Sequence, residues 1–252
     1  MLSYPADGNQ QCFMLEDRSF WFQHRNDCIL AAMRRHPPGG PVLDVGGGNG
    51  FVTRRMIDEG FPATLLEPGQ TGAANAKTQR KLSDVICSTL DDAGFPGNSI
   101  AAVGLFDVLE HIPADRAMLA SLHEVMRPGG MLYLTVPAFD WLWSSSDVYA
   151  GHFRRYSPSG LAELLLDRFD ILYSTCFFGA LILPILVFRA LPFRLGFARR
   201  TGVLTAETEH GVKGGGMVHL ARRLLAGELR SIETGRALKW GTSLLCVARK
   251  KR

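Results

Sequence analysis

Short apolar runs and longer amphipathic stretches take turns along this chain. The short runs are Val42 to Val45, Ala63 to Pro68, Asp84 to Leu90, Ile100 to Val108, Met131 to Pro137, Phe169 to Phe178 and Thr242 to Arg249. Nearly continuous apolar character over so few residues is the mark of strands buried on both faces. Helical spacing is read over Glu16 to Arg35, Phe51 to Gly60, Thr71 to Leu82, Pro113 to Met126, Pro158 to about Arg168, and Met217 to Ile232. Pro37-Pro38-Gly39-Gly40 and Arg127-Pro128-Gly129-Gly130 are firm helix stops. Ser157 is a good N-cap and Pro158 a good first helical residue. Trp141 to Ala150 reads as a loop. Strand and helix in alternation predict a doubly wound α/β domain with a parallel sheet.

The glycines after the first strand concentrate the chemistry. Asp44-Val45-Gly46-Gly47-Gly48-Asn49-Gly50 joins that strand to the next helix. Glycine permits left-handed dihedrals and lets a ligand reach the backbone, and the following helix offers free N–H groups. A nucleotide-like ligand is therefore expected. The dinucleotide fingerprint fails, because its third small position falls on Phe51 or Thr53, and no phosphate-loop motif occurs anywhere. Asp44, at the end of the strand, suits a ligand carrying an ammonium group. Glu67, at the end of the second strand, is placed to accept ribose hydroxyls.

At a length of 252 residues and an apolar fraction of 46%, one large domain or a domain with a lid is expected. The five cysteines are scattered and form no C-x-x-C pair, so neither a metal site nor a disulfide framework is read. That usage points to a reducing, cytoplasmic home. The first eleven residues carry no basic-then-apolar leader pattern. The net charge of +4 is divided unevenly: residues 189–252 hold 14 Lys/Arg against 4 Asp/Glu, leaving 14 against 20 in residues 1–188. A basic C-terminal quarter fits an anionic partner or simply solvated helix faces.

Asp44-x-Gly46-x-Gly48-x-Gly50 resembles motif I of the class I S-adenosylmethionine-dependent methyltransferases. Phe106-Asp107-Val108-Leu109-Glu110-His111-Ile112-Pro113 resembles the motif after their fourth strand, and the helix, Pro-Gly stop and apolar strand through residue 138 complete their middle section. Gly151-His152-Phe153-Arg154-Arg155-Tyr156 resembles a segment of a bacterial branch that acts on small molecules. The resemblance implies a Rossmann-like, seven-stranded, mostly parallel sheet whose last strand is antiparallel. It also implies an N-terminal helical cover at 1–38, a cofactor-binding core at 39–178 and 240–252, and a helical insert or lid at 179–239, all in one methyltransferase domain.

By the same resemblance S-adenosylmethionine is the cofactor, held by Asp44, Gly46, Gly48 and Glu67. Thr89 and Leu90 border its adenine, Phe106 and Asp107 its methionine end, and His111 lies near it. His152, Arg154, Arg155 and Tyr156 are read as facing the acceptor. His111 and His152 are the candidate bases, with His152 preferred on the acceptor side. The expected reaction is methylation of a hydroxyl, amine or carbon on a small, anionic acceptor such as a natural-product or sugar/lipid intermediate. An RNA methyltransferase and a non-catalytic scaffold are the alternatives. Because no aromatic-basic platform is present, no nucleic-acid partner is expected.

The insert opens with Ala180 to Phe188, uncharged and broken by Pro184, and ends at Arg189. It is too short to span a bilayer. The pattern favours a buried lid helix or a dimer contact, hence a monomer or homodimer, with peripheral contact by a membrane-surface helix as the alternative. Thr205 to Gly216 reads as mobile, with Gly214-Gly215-Gly216 as a hinge.

Overall fold

The computed structural model describes residues 13–197 and 216–251. Most of the stretch read as a hinge lies outside them. Gly216 instead opens a helix.

Seven strands form one sheet: β1 (Val42–Val45), β2 (Ala63–Leu66), β3 (Val85–Ile86), β4 (Ile100–Phe106), β5 (Met126–Pro137), β6 (Phe169–Phe177) and β7 (Ser243–Lys250). Their order is β3-β2-β1-β4-β5-β7-β6. The pairs from β3 through β5 are parallel, and β7 runs antiparallel to both β5 and β6. The expected doubly wound sheet with its antiparallel last strand is thus the observed one.

Period-two alternation along each strand feeds two cores. Leu132, Leu134 and Val136 of β5, with Leu244 and Cys246 of β7, pack on one face. Met131 and Tyr133, with Leu245 and Val247, pack on the other. Helix α1 (Phe20–Arg35), α2 (Phe51–Asp58) and the last helix, α8 (Gly216–Glu233), cover the second face. Among the other helices are α3 (Gln70–Thr78), α4 (Asp115–Val125), α5 (Ser145–Ala150) and α6 (Pro158–Leu165). A continuous helical stretch, α7, follows β6. It runs as a 3-10 turn at Gly179–Leu181, an α segment at Ile182–Ile185, a π segment at Leu186–Ala190 and an α segment at Leu191–Arg194.

Several boundaries differ from the sequence pattern, each for a local reason. Strand β3 stops at Ile86 because Thr89 turns the chain: its hydroxyl donates to Asp92 and accepts from the Asp92 backbone. The 127–130 stop lies within β5 as a bulge, since Ile100 pairs with Met126 and Ala102 with Met131. Helix α1 starts at Phe20 because Ser19 caps it. The loop read at 141–150 contains helix α5, whose start is a capping box of Ser144 and Asp147.

A candidate cofactor site at the glycine turn

Asp44 is the buried anchor of the turn. The Thr53 hydroxyl, one turn into α2, donates to its Oδ2 at 2.6 Å. Its Oδ1 is buried with no hydrogen-bond partner among the described residues. Burial pushes the Asp44 carboxyl up to about 6, and the Thr53 bond and the Arg25 charge oppose that rise. A carboxylate so placed gains from a cationic ligand.

The glycines around it are required for two different reasons. A Cβ on Gly47 would lie 2.6 Å from both Asp44 Oδ2 and Leu65 Cδ1, so this residue closes the turn onto the strand. Gly48 has φ +56° and would meet nothing within 4 Å, so its outer side is open. Glu67, just past β2, accepts from the Gly48 N–H at 2.9 Å and from the Gly69 N–H at 2.7 Å. Burial raises its pKa against those two bonds. Each of its oxygens keeps a further lone pair for a hydroxyl.

The rest of the predicted cofactor residues divide. Thr89 and Leu90 follow β3 in a turn, Thr89 committed to Asp92 and Leu90 buried in the core. Phe106 is a core residue: its ring lies over Gly104 in the layer under α1. Asp107 has φ +55°, accepts from the Thr135 hydroxyl at 3.0 Å and is ion-paired with Arg25. Val108 then packs against Gly46, which brings the 107–111 tract onto the turn.

Sequence reading missed Arg25. It stands over the rings of Trp21 and Phe22, with its Nε buried and unpartnered among the described residues. The N-terminal cover also reaches the turn through Glu16, which accepts from Asn49 at 3.2 Å and pairs with Arg80.

A second group of side chains converges from the 110–111 and 147–155 segments. The His111 and His152 rings meet edge to face, with centroids 4.8 Å apart. His152 Nδ1 lies 2.9 Å from Asp147 Oδ1. Arg155 grips the same carboxylate through Nε at 2.8 Å and Nη2 at 3.0 Å. Burial pushes Asp147 up, but the bonds from His152 and Arg155 outweigh it and hold the carboxyl at about 2. Burial first, then the neighbouring His152, lowers His111 to about 4. Glu110 is fully buried, with Oε2 unpartnered among the described residues; burial and the Asp107 charge raise its pKa.

Glu110, His111 and His152 present the donor set of a metal site, their ligand atoms within 4.8 Å of one another.

The arginines and tyrosine expected to face an acceptor are spent internally. Arg154 pairs with Asp115 at 2.6 Å and donates to the Pro113 carbonyl. Tyr156 is buried and donates to Asp115 at 3.1 Å. Arg155 belongs to Asp147. None of the three is offered as an unpaired group. Asp147, which the sequence reading passed over, is the residue that organises this segment. Its spacing from Ser144 was the available signal.

A family model described as a methyltransferase domain matches residues 17–169. A "Probable S-adenosylmethionine-dependent methyltransferase" of Mycolicibacterium smegmatis is 23% identical over 163 residues, covering 64% of this chain and 63% of that protein. A ubiquinone biosynthesis O-methyltransferase of Xanthomonas axonopodis pv. citri is 30% identical over 107 residues, covering 40% of this chain and 45% of that protein. Both matches thus span less than two thirds of the relative. Among solved structures, phosphoethanolamine N-methyltransferase 2 of Haemonchus contortus, in complex with S-adenosyl-L-methionine, superposes with a TM-score of 0.60 at 18% identity. It covers 99% of this chain and 58% of that one. With the domain match extending over more than half of the chain, and the sheet order and glycine turn in agreement, the protein belongs to the class I S-adenosylmethionine-dependent methyltransferases.

Proposed function

We propose that the chain methylates a hydroxyl oxygen of a small acceptor, with S-adenosylmethionine as donor and His152 as the group that takes the acceptor proton. The cofactor fits the residues present. The orphaned, buried Asp44 Oδ1 meets the need of an ammonium group, and the open side of Gly48 admits a ligand against the backbone. Asp44, Gly46, Gly48 and Glu67 would hold it, with Asp107 and His111 beside them. When bound, S-adenosylmethionine supplies an electrophilic methyl group on a sulfonium.

The observation that carries the acceptor side is the pairing of the buried Asp147 with His152. Asp147, held at about 2, is an anion at neutral pH. It accepts the Nδ1 proton of His152 and thereby leaves Nε2 as the lone-pair atom. A hydroxyl nucleophile needs such a base; a neutral amine or an activated carbon does not. His111, lowered to about 4, is neutral near pH 7 and packs against the base without competing for its proton. The O-methyltransferase among the relatives is consistent with this choice of atom.

The test is His152→Gln assayed on hydroxylated acceptors. Loss of base catalysis lowers kcat by about 10²–10⁴-fold. Affinity for S-adenosylhomocysteine is expected to stay at the wild-type value. Unchanged kcat would remove His152 from the mechanism, and loss of cofactor affinity would reassign it to the cofactor pocket.

A further inference from the structure

The solvent face of α7 is apolar. Exposure recurs along it with helical period: Leu183, Val187 and Phe188, Leu191, then Leu195 are exposed, while Ala190 on the opposite side is fully buried. Leu183 is 68% exposed, Phe188 76%, Leu195 69% and Phe197 71%. Single exposed apolar side chains are ordinary, but a continuous stripe of them on one helix is not. The lid reading would bury this stripe, and among the described residues nothing covers it. The helix is nonetheless firmly seated. Its π segment packs on α5 and on the turn at Asp140–Leu142, and the Phe178 and Gly179 N–H groups at its start both donate to Glu228 of α8.

Charge decides what the stripe meets. No acidic residue occurs from Ile171 through Ala206, whereas Arg189, Arg194, Arg199 and Arg200 do. The whole stretch from Arg189 to the C-terminus carries 14 Lys/Arg against 4 Asp/Glu. Two copies apposed through this face would bring the exposed Arg194 of each together, which is unfavourable. An anionic bilayer accepts both features at once, taking the apolar side chains among its acyl chains and the guanidiniums among its headgroups. The helix cannot cross: Ile182 to Arg194 rises about 20 Å at 1.5 Å per residue, against a hydrocarbon core of about 30 Å. No described helix is long and apolar enough to span a membrane.

We propose that the exposed stripe Leu183–Val187–Phe188–Leu191–Leu195 of α7 docks the protein in the plane of an anionic lipid surface. Helix α5, on which α7 packs, carries Asp147, the partner of His152. Docking therefore places α7 between the lipid surface and the helix that carries Asp147. The proposal stands on the helix face and the charge around it and does not depend on which atom is methylated.

The test is vesicle flotation of the full chain, with vesicles of phosphatidylcholine alone and of phosphatidylcholine mixed with phosphatidylglycerol. Wild type is expected to float with the anionic vesicles only, and to be released at high salt. Phe188→Glu and Leu195→Glu are expected to weaken flotation by roughly tenfold or more, with thermal midpoint and S-adenosylhomocysteine affinity unchanged. Arg194→Gln, which keeps the apolar stripe intact, is expected to weaken it less. Absence of wild-type flotation would overturn the proposal, as would equal binding to both vesicle types. So would a dimer, seen by sedimentation, that Phe188→Glu splits while vesicle binding is absent.

Discussion

Asp44 and Asp147 are both buried carboxylates, and their surroundings push them in opposite directions. Asp44 is raised to about 6, above the usual value of about 3.9. Its contribution to stability is therefore present below about pH 4 and lost as the pH rises through about 6. A ligand ammonium reverses that loss. Stabilisation by S-adenosylhomocysteine is expected to be greater at pH 7.5 than at pH 5 (both chosen as about a unit or more from the titration). Calorimetry near pH 6 should show proton release on binding. A pH-independent ligand shift would contradict the assignment. Asp147 is lowered to about 2, so its contribution is present above about pH 4 and is lost as the pH falls through about 2. Asp147→Ala leaves the Arg155 guanidinium buried without its carboxylate. Breaking a buried pair in this way costs about 3–5 kcal/mol, to be read by denaturant unfolding; a loss under about 1 kcal/mol would show the pair to be solvent-screened.

At the scale of the element, the strand–turn–helix unit from Val42 to Asp58 has a division of labour among its glycines. Gly47→Ala drives a methyl into Asp44 and Leu65, both at 2.6 Å from its Cβ. Overpacking of that kind costs about 1–3 kcal/mol. Gly48→Ala meets nothing within 4 Å, so it costs only left-handed strain of about 1–2 kcal/mol. Its methyl points into the open space, however, and cofactor affinity is expected to drop while the chain stays folded. Paired unfolding and binding measurements distinguish the two; equal ligand loss with no stability difference would show that the turn is uniformly flexible. This element was legible because its signals are local: an apolar run, glycines and a helix start in continuous sequence. Helix α5 was not, because six residues are too few to show a helical period. The role of Arg25 was also hidden, since it depends on Asp107, a partner distant in sequence; Asp147 pairs with Arg155 and His152 nearby in the chain, but across a turn that periodicity does not describe.

Across the whole molecule, the alternation of apolar runs and amphipathic stretches predicts a doubly wound α/β domain, and the resemblance adds the seven strands with an antiparallel last one; both are observed. The pattern left the solvent side open: the apolar run at 180–188 reads as a buried lid, a dimer contact or a membrane-surface helix, and α7 turns Leu183, Val187 and Phe188 outward. Periodicity says that a helix has two faces but not which of them the rest of the chain will cover. The N-terminal cover shows the converse. Helix α1 is joined to α8 by His24 and Glu228, at 3.3 Å, and Trp21 stacks on Phe178 with ring centroids 5.3 Å apart. These contacts hold Arg25 and Glu16 over the glycine turn from the far end of the sequence. The central claim is that this turn holds S-adenosylmethionine through Asp44. It is tested most directly by thermal unfolding of wild type and Asp44→Asn, each with S-adenosylhomocysteine and with NAD. A ligand at about 100 times its dissociation constant adds roughly 2.7 kcal/mol. That gain is expected for wild type with S-adenosylhomocysteine, and is expected to be lost in Asp44→Asn and absent with NAD. Equal stabilisation of both proteins, or stabilisation by NAD instead, would contradict it.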